Sequence, residues 1–214
     1  NDALALLTQI KYDYALLCDA DMELVVEKLP DALTAPAYSL LQKGGSLSYY
    51  NTRLLRKGHP ATYRGATHEY LDCGLIPPNL EGIWFIDHAD GSNRKDKFER
   101  DIKLLLGDIE KEPNNGRSWF YLAQSYREAG RWIEAADAYK KRIKFGGWEE
   151  EVWDAQLNYG NCLRNLGDEA GFVRETLAAY DMRPSRSEPL YDLAKFYREK
   201  PHAQHTAAMF AKRG

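Results

Sequence analysis

Two aspartates one residue apart, Asp19 and Asp21, stand at the end of the apolar run Tyr14-Ala15-Leu16-Leu17-Cys18. A run of that length, bounded by polar residues, predicts a buried strand of a parallel or mixed sheet. Residues two apart on an extended segment project the same way, so both carboxylates are expected to converge on one hard cation. Open α/β sheets place ligand sites at the carboxyl ends of their strands, which is where this pair falls. Two further clusters lie at predicted strand ends: Thr67-His68-Glu69 behind Tyr63-Arg64-Gly65, and Asp87-His88 behind Ile83-Trp84-Phe85-Ile86. Each supplies groups that ligate metals or move protons. The competing reading of the aspartate pair is a loop with two solvated acids.

The elements that would position these groups differ between the two parts of the chain. Up to about residue 92, short strands alternate with turns. Tyr38 to Gln42 and Leu47 to Leu55 flank Lys43-Gly44-Gly45-Ser46, a hairpin signal. Pro77-Pro78-Asn79 breaks the pattern before the strand at 83–86. Asn1 to Ile10 reads as the middle of a helix, with Asn1 or Asp2 as the only start signal, and the chain is expected to be a fragment whose upstream portion is missing. From Arg94 the pattern turns helical: Phe98, Ile102, Leu105 and Ile109 form one apolar face, and Pro113-Asn114-Asn115 ends it.

Composition narrows the function classes. A net charge of −3 over 214 residues gives no footprint for nucleic acid or an anionic membrane. Three dispersed cysteines, Cys18, Cys73 and Cys162, argue against a disulfide framework or structural zinc, and for a reducing compartment. No apolar run is long enough for a membrane span. The expected location is cytoplasmic, with peripheral membrane attachment left open.

The helical part repeats itself, with starts near Gly116, Trp153 and Ser187, spaced 37 and 34 residues. Large and small residues recur at matching places: Trp119, Leu122, Ala123, Tyr126, Ala135 and Tyr139 in the first unit. The second has Tyr159, Gly160, Leu163, Ala179 and Pro184, with Phe172 at a usually small position; the third has Leu190, Leu193, Ala194, Tyr197 and Phe210. This period and these residues resemble the tetratricopeptide repeat, a helix-turn-helix unit that stacks into a solenoid.

The front part, through Tyr14 to Glu23, Tyr50 to Arg56, Tyr63 to Leu71 and His88 to Leu105, resembles a family 2 glycosyltransferase of the branch carrying such repeats. The fold class this implies is α/β plus all-α. Residues 1–92 would be the C-terminal half of a GT-A domain, and 93–214 a solenoid of about three units. Family members begin with a nucleotide-binding half that this sequence does not contain, so the isolated piece is expected to be inactive. The resemblance implies Mn²⁺ or Mg²⁺ held by Asp19, Asp21 and His88 against the diphosphate of a nucleotide-sugar, with Asp21 the direct ligand and Asp19 touching ribose or metal. Such an ion would offset charge on the leaving diphosphate. It implies Glu69 as general base on an acceptor hydroxyl, and Gly65 as a turn beside the donor sugar. Arg53 and Arg56 could grip phosphate oxygens or make surface ion pairs. The acceptor would be a glycan, lipid or protein. The alternative function is a binding scaffold, whose repeats take a peptide or protein while the front part does no chemistry; a metal-dependent hydrolase is a third reading.

Overall fold

The computed structural model describes residues 1–45, 47–88 and 94–213. The chain forms two compact units, Asn1–Asn93 and Arg94–Gly214. The domain boundary expected at 92/93 lies outside the described residues.

The front unit opens with helix α1 (Asp2–Leu6) and a 3-10 turn over Leu7–Gln9. Seven strands follow: β1 (Tyr14–Leu16), β2 (Met22–Val26), β3 (Ala37–Gly44), β4 (Leu47–Arg56), β5 (Thr62–Arg64), β6 (Tyr70–Asp72) and β7 (Asn79–Asp87). Five of them form a sheet in the order β1-β4-β3-β7-β2, while β5 and β6 make a small ribbon of their own. Every pair in the large sheet is antiparallel except β3 with β7. The β3–β4 hairpin forms as the Gly-Gly signal predicts, with Gly44 opposite Leu47 and Gly45 at φ +56°. Adjacent strand residues point to opposite faces. Leu54 therefore joins Tyr38, Leu40, Leu80 and Phe85, while Leu55 joins Ala37, Leu71 and Cys73.

Three expectations need correction here. The front unit is no α/β layered half-domain: its only described helices are α1 and the 3-10 turn, and the parallel β3–β7 connection carries the β5–β6 ribbon instead of a helix. The run at 14–18 makes an edge strand of three residues, paired on one side only, so Ala15 is buried but Leu16 is 41% exposed. The N-terminal helix stops at Leu6, and Asn1 stands at its N-cap position without a side-chain capping bond. Its side chain instead extends the β5 edge, accepting from Tyr63 N (2.8 Å) and donating to Tyr63 O (3.3 Å).

In the second unit, α2 (Arg94–Lys111) buries Ile102, Leu105 and Ile109, three of the four residues of its expected face. Three helix pairs follow: α3 (Gly116–Glu128) with α4 (Trp132–Phe145), α5 (Glu149–Asn165) with α6 (Glu169–Met182), and α7 (Glu188–Arg198) with α8 (Gln204–Ala211). Asn115 caps α3 by accepting from Ser118 N, and Asp168 caps α6 by accepting from Gly171 N. Gly130 and Gly167, at φ +74° and +84°, turn the chain between the helices of the first and second pairs.

Small residues let the helices close on one another. A Cβ on Gly160 would stand 2.9 Å from Thr176 Oγ1 and 3.4 Å from Phe172 O. Phe172 and Thr176 exchange the usual sizes. The aromatic ring sits where other units have a small residue, and Thr176 takes the place that Tyr139 and Phe210 fill. Phe172 is fully buried and meets Phe196 edge-on at 5.0 Å, so the enlarged side chain fills the seam towards the third unit.

The lengthened turn between the first two units is held by charge. Arg142 and Glu151 are both buried and meet at 2.6 Å; Arg142 also donates to Gly146 O (2.7 Å), and Arg117 lies 3.7 Å from Glu151. A guanidinium out of water needs such a partner.

Two tests of the packing follow from these contacts. Gly160→Val is expected to lower unfolding free energy by about 1–3 kcal/mol through overpacking. Gly107→Ala on α2, where an added Cβ meets nothing within 4 Å, should raise it by up to about 1 kcal/mol through helix propensity. Urea titrations followed by helical ellipticity compare the two, and equal shifts would contradict the assignment. By the same measurement Glu151→Ala should cost about 3–5 kcal/mol, whereas Arg142→Met with Glu151→Leu should cost clearly less.

Candidate functional site

The carboxylate run was expected to present both aspartates along one extended segment. Instead the chain turns between them: Met22 N donates to Asp19 O at 3.2 Å, and Ala20 and Asp21 occupy the turn. The alternation that would align the two carboxylates ends before Asp21. Asp19 goes to Arg53, with Oδ2 accepting from the guanidinium at 2.9 Å. His88 turns the other way, its Nε2 3.1 Å from Glu23 Oε2 and its backbone N–H donating to Asp21 O.

No group of three His, Cys, Asp or Glu side chains able to hold a metal exists among the described residues. Asp19, Asp21 and His88 are thus not gathered, and Asp19 is already neutralised by a guanidinium. This donor set does not fit Mn²⁺ or Mg²⁺.

Arg53 itself is buried on β4, unlike the exposed Arg56 beside it in the pattern. Besides Asp19 it donates to Gln42 Oε1 at 3.0 Å, and Gln42 Nε2 donates to Asp87 Oδ2 at 3.1 Å. The chain Asp19–Arg53–Gln42–Asp87 crosses three neighbouring strands and compensates a charge buried in the sheet. Phe85 lies beneath the guanidinium, 5.9 Å from its ring centre. Arg53 thereby serves the sheet.

Glu69 is exposed in the segment between β5 and β6, and Gly65 nearby adopts φ +103°. A Cβ on Gly65 would meet Thr67 O at 3.1 Å, so the turn demands glycine for its own backbone. The half-buried phenol of Tyr63 feels Arg53, Asp19 and Glu69 together. Burial pushes its pKa up, Arg53 opposes that, and the two carboxylates add to it. The structure therefore brings Asp19, Arg53 and Glu69 near one tyrosine, while the His88 ring goes to Glu23 and its backbone N–H to Asp21 O.

A second set of polar groups lies on the repeats. Arg127 of α3 donates to Asn158 of α5 at 2.5 Å, and Asn158 donates to Asp154 one turn back. Asn161 of α5 donates to Asp192 of α7 at 3.2 Å, and Arg164 donates to Glu199 at 2.8 Å. Burial raises the Asp154 carboxyl pKa, with Arg127 and the Asn158 amide acting against it. The first helices of successive pairs are thus joined edge to edge by a polar row. Half-buried Gln124 stands on α3 three residues before Arg127, with no hydrogen-bond partner among the described residues. The apolar spacing did not reveal this row. The signal was present nonetheless: Arg127, Arg164 and Arg198 recur at 37 and 34 residues, the spacing of the unit starts.

No protein-family model matches this chain, and no curated protein does. Solved structures do resemble it. MamA MSR-1 is 19% identical over 55% of this chain and 65% of its own, with a TM-score of 0.48. MamA AMB-1 is 18% identical over 54% of this chain and 61% of its own, at 0.47. YrrB, described as a TPR protein with an unusual peptide-binding site, is 14% identical over 55% of this chain and 76% of its own, at 0.27. The chain covers less than two thirds of the first two structures. YrrB is described as a TPR protein and none of these three is described as a glycosyltransferase; with no family model matching and no α/β layering in the front unit, the family 2 glycosyltransferase resemblance and its transferase activity do not stand. What remains in its place is a helical-repeat protein with a β-sheet unit.

Proposed function

We propose that this chain is a non-enzymatic binding scaffold whose helical-repeat unit holds a peptide segment of a partner protein. The observation that carries this reading is the polar row along α3, α5 and α7, joined by Arg127–Asn158, Asn161–Asp192 and Arg164–Glu199. Stacked helix pairs present one helix of each pair along a continuous face, and such faces take extended or helical segments. Gln124, Asn158 and Asn161 set side-chain amides along that face. The Gln124 amide offers a donor and an acceptor, the complement of a peptide backbone, while Asn158 and Asn161 are held in place by Arg127, Asp154 and Asp192. The repeat protein YrrB, with its peptide-binding site, is a parallel in kind.

The chemistry of the front unit agrees with this reading. Its buried Arg53 is spent on Asp19 and Gln42, and its strand-end acids hold no common centre. Among the described residues no helix is long and apolar enough to cross a membrane.

Selection from a random peptide library on the full chain tests the proposal. Enriched peptides should bind saturably, and Gln124→Arg should weaken them about tenfold by blocking the row. Ile133→Arg, at a 64% exposed position on α4, should leave binding unchanged. A library yielding no binder, or one whose binders ignore Gln124→Arg, would overturn the scaffold reading.

A further inference from the structure

Two acids of the polar row differ from their neighbours. Asp154 of α5 and Asp192 of α7 are both half-buried, and neither has an ion-pair partner among the described residues. Each is held by an asparagine: Asn158 Nδ2 donates to Asp154 Oδ2 at 3.0 Å, and Asn161 Nδ2 to Asp192 Oδ2 at 3.2 Å. An amide supplies a hydrogen bond and no charge. By contrast Glu128, Glu151, Glu188 and Glu199 each meet a guanidinium at 2.6–3.0 Å.

Both carboxylates lie on inner seams of the stack. Arg127 of α3 reaches across to Asn158 beside Asp154, and Asp192 faces back to Asn161 of α5. The cations nearest Asp154 are already engaged: Arg127 by Glu128, and Arg186 by Glu150 and Glu188. Glu151, on the same helix, adds a like charge.

The seam also holds a hydroxyl without a bond. Tyr139 of α4 is fully buried, and its Oη has no hydrogen-bond partner among the described residues. Burial pushes its pKa up, Arg127 opposes that, and Asp154 adds to it, which places the phenol beside both. A buried hydroxyl left unpaired is costly, as is a carboxylate drawn out of water without a cation. A cationic N–H donor entering the row answers both needs.

We infer that the polar row binds a basic segment of a partner protein, whose lysine or arginine side chains pair with Asp154 and Asp192 while Gln124 meets its backbone. This deepens the scaffold reading and rests on it. Charge complementarity selects the partner and fixes its register along α3, α5 and α7. The asparagines orient the two carboxylates in advance, so little ordering is left to the binding step.

The probe is a pair of random peptide libraries, one enriched in lysine and arginine and one lacking both, each selected on the full chain. Binders are expected from the first, with affinity about tenfold lower in Asp154→Asn with Asp192→Asn. Asp137→Asn, at an exposed position on α4, removes an acid off the row and should change nothing. A second readout separates contact from mere support. Burial raises the Asp154 pKa, and a bound cation lowers it again, so binding expels a proton. Affinity should therefore rise with pH through the Asp154 titration, and Asp154→Asn should flatten that rise. Equal loss in Asp137→Asn, no loss in the double variant, or an unchanged pH profile in Asp154→Asn overturns the inference. Circular dichroism checks that the variants fold. If the cation-free library yields equally tight binders that Gln124→Arg still weakens, only this inference falls. If neither library yields a binder, the scaffold reading falls with it.

Discussion

The closeness of helix α5 to α6 at Gly160 is the constraint on which the repeat unit depends. With no side chain there, Thr176 and the Phe172 carbonyl come within reach of the α5 backbone. Interiors packed at crystal-like density transmit such a spacing to their neighbours. Because α5 sits close on α6, Phe172 can fill the seam where α7 docks, and its ring meets Phe196 edge-on. The seam in turn sets the height of α7 along α5. That height decides which polar side chains meet: Asn161 with Asp192, and Arg164 with Glu199. The row of hydrogen bonds on the surface is thus a consequence of an apolar contact beneath it.

Charge acts differently in the two units. Between the first two helix pairs, Arg142 and Glu151 are buried and hold a turn that contains two consecutive left-handed glycines, Gly146 and Gly147. That pair contributes register rather than strength, since burying both ions costs much of what their attraction supplies. In the front unit Arg53 is the one buried charge among the described residues. Arg53 draws on Asp19 and Gln42, and through Gln42 on Asp87, so a guanidinium in a sheet is compensated across three strands. The acids at those strand ends answer a need of the fold.

This explains what could and could not be read from the residues. The β3–β4 hairpin, the strand at 83–86, the apolar face of α2 and the three repeats follow from spacing alone, because local period and turn chemistry agree with burial there. The aspartate pair misled because its meaning depended on an element only three residues long. A longer strand would have kept the side-chain alternation through Asp21; β1 ends at Leu16, and Ala20 and Asp21 lie in a turn. Arg53 was legible as a cation on a strand but its burial was not, since burial depends on Gln42 and Phe85 from strands distant in sequence. Among the repeats, the exchange of sizes between Phe172 and Thr176 was half visible: the large residue stood out, its small counterpart four residues on did not.

The arginines at 127, 164 and 198 show how one position can serve two ends. Arg127 and Arg164 each reach the next first helix, to Asn158 and to Glu199. Arg164 also lies 5.5 Å from the rings of Phe172 and Phe196, so its charge rests on the aromatic seam while its fork holds a carboxylate. In a repeat array each interface is specified by its neighbours alone. The same residue at the same position therefore poses the same requirement at every seam, whether the helix that meets it comes from this chain or from another.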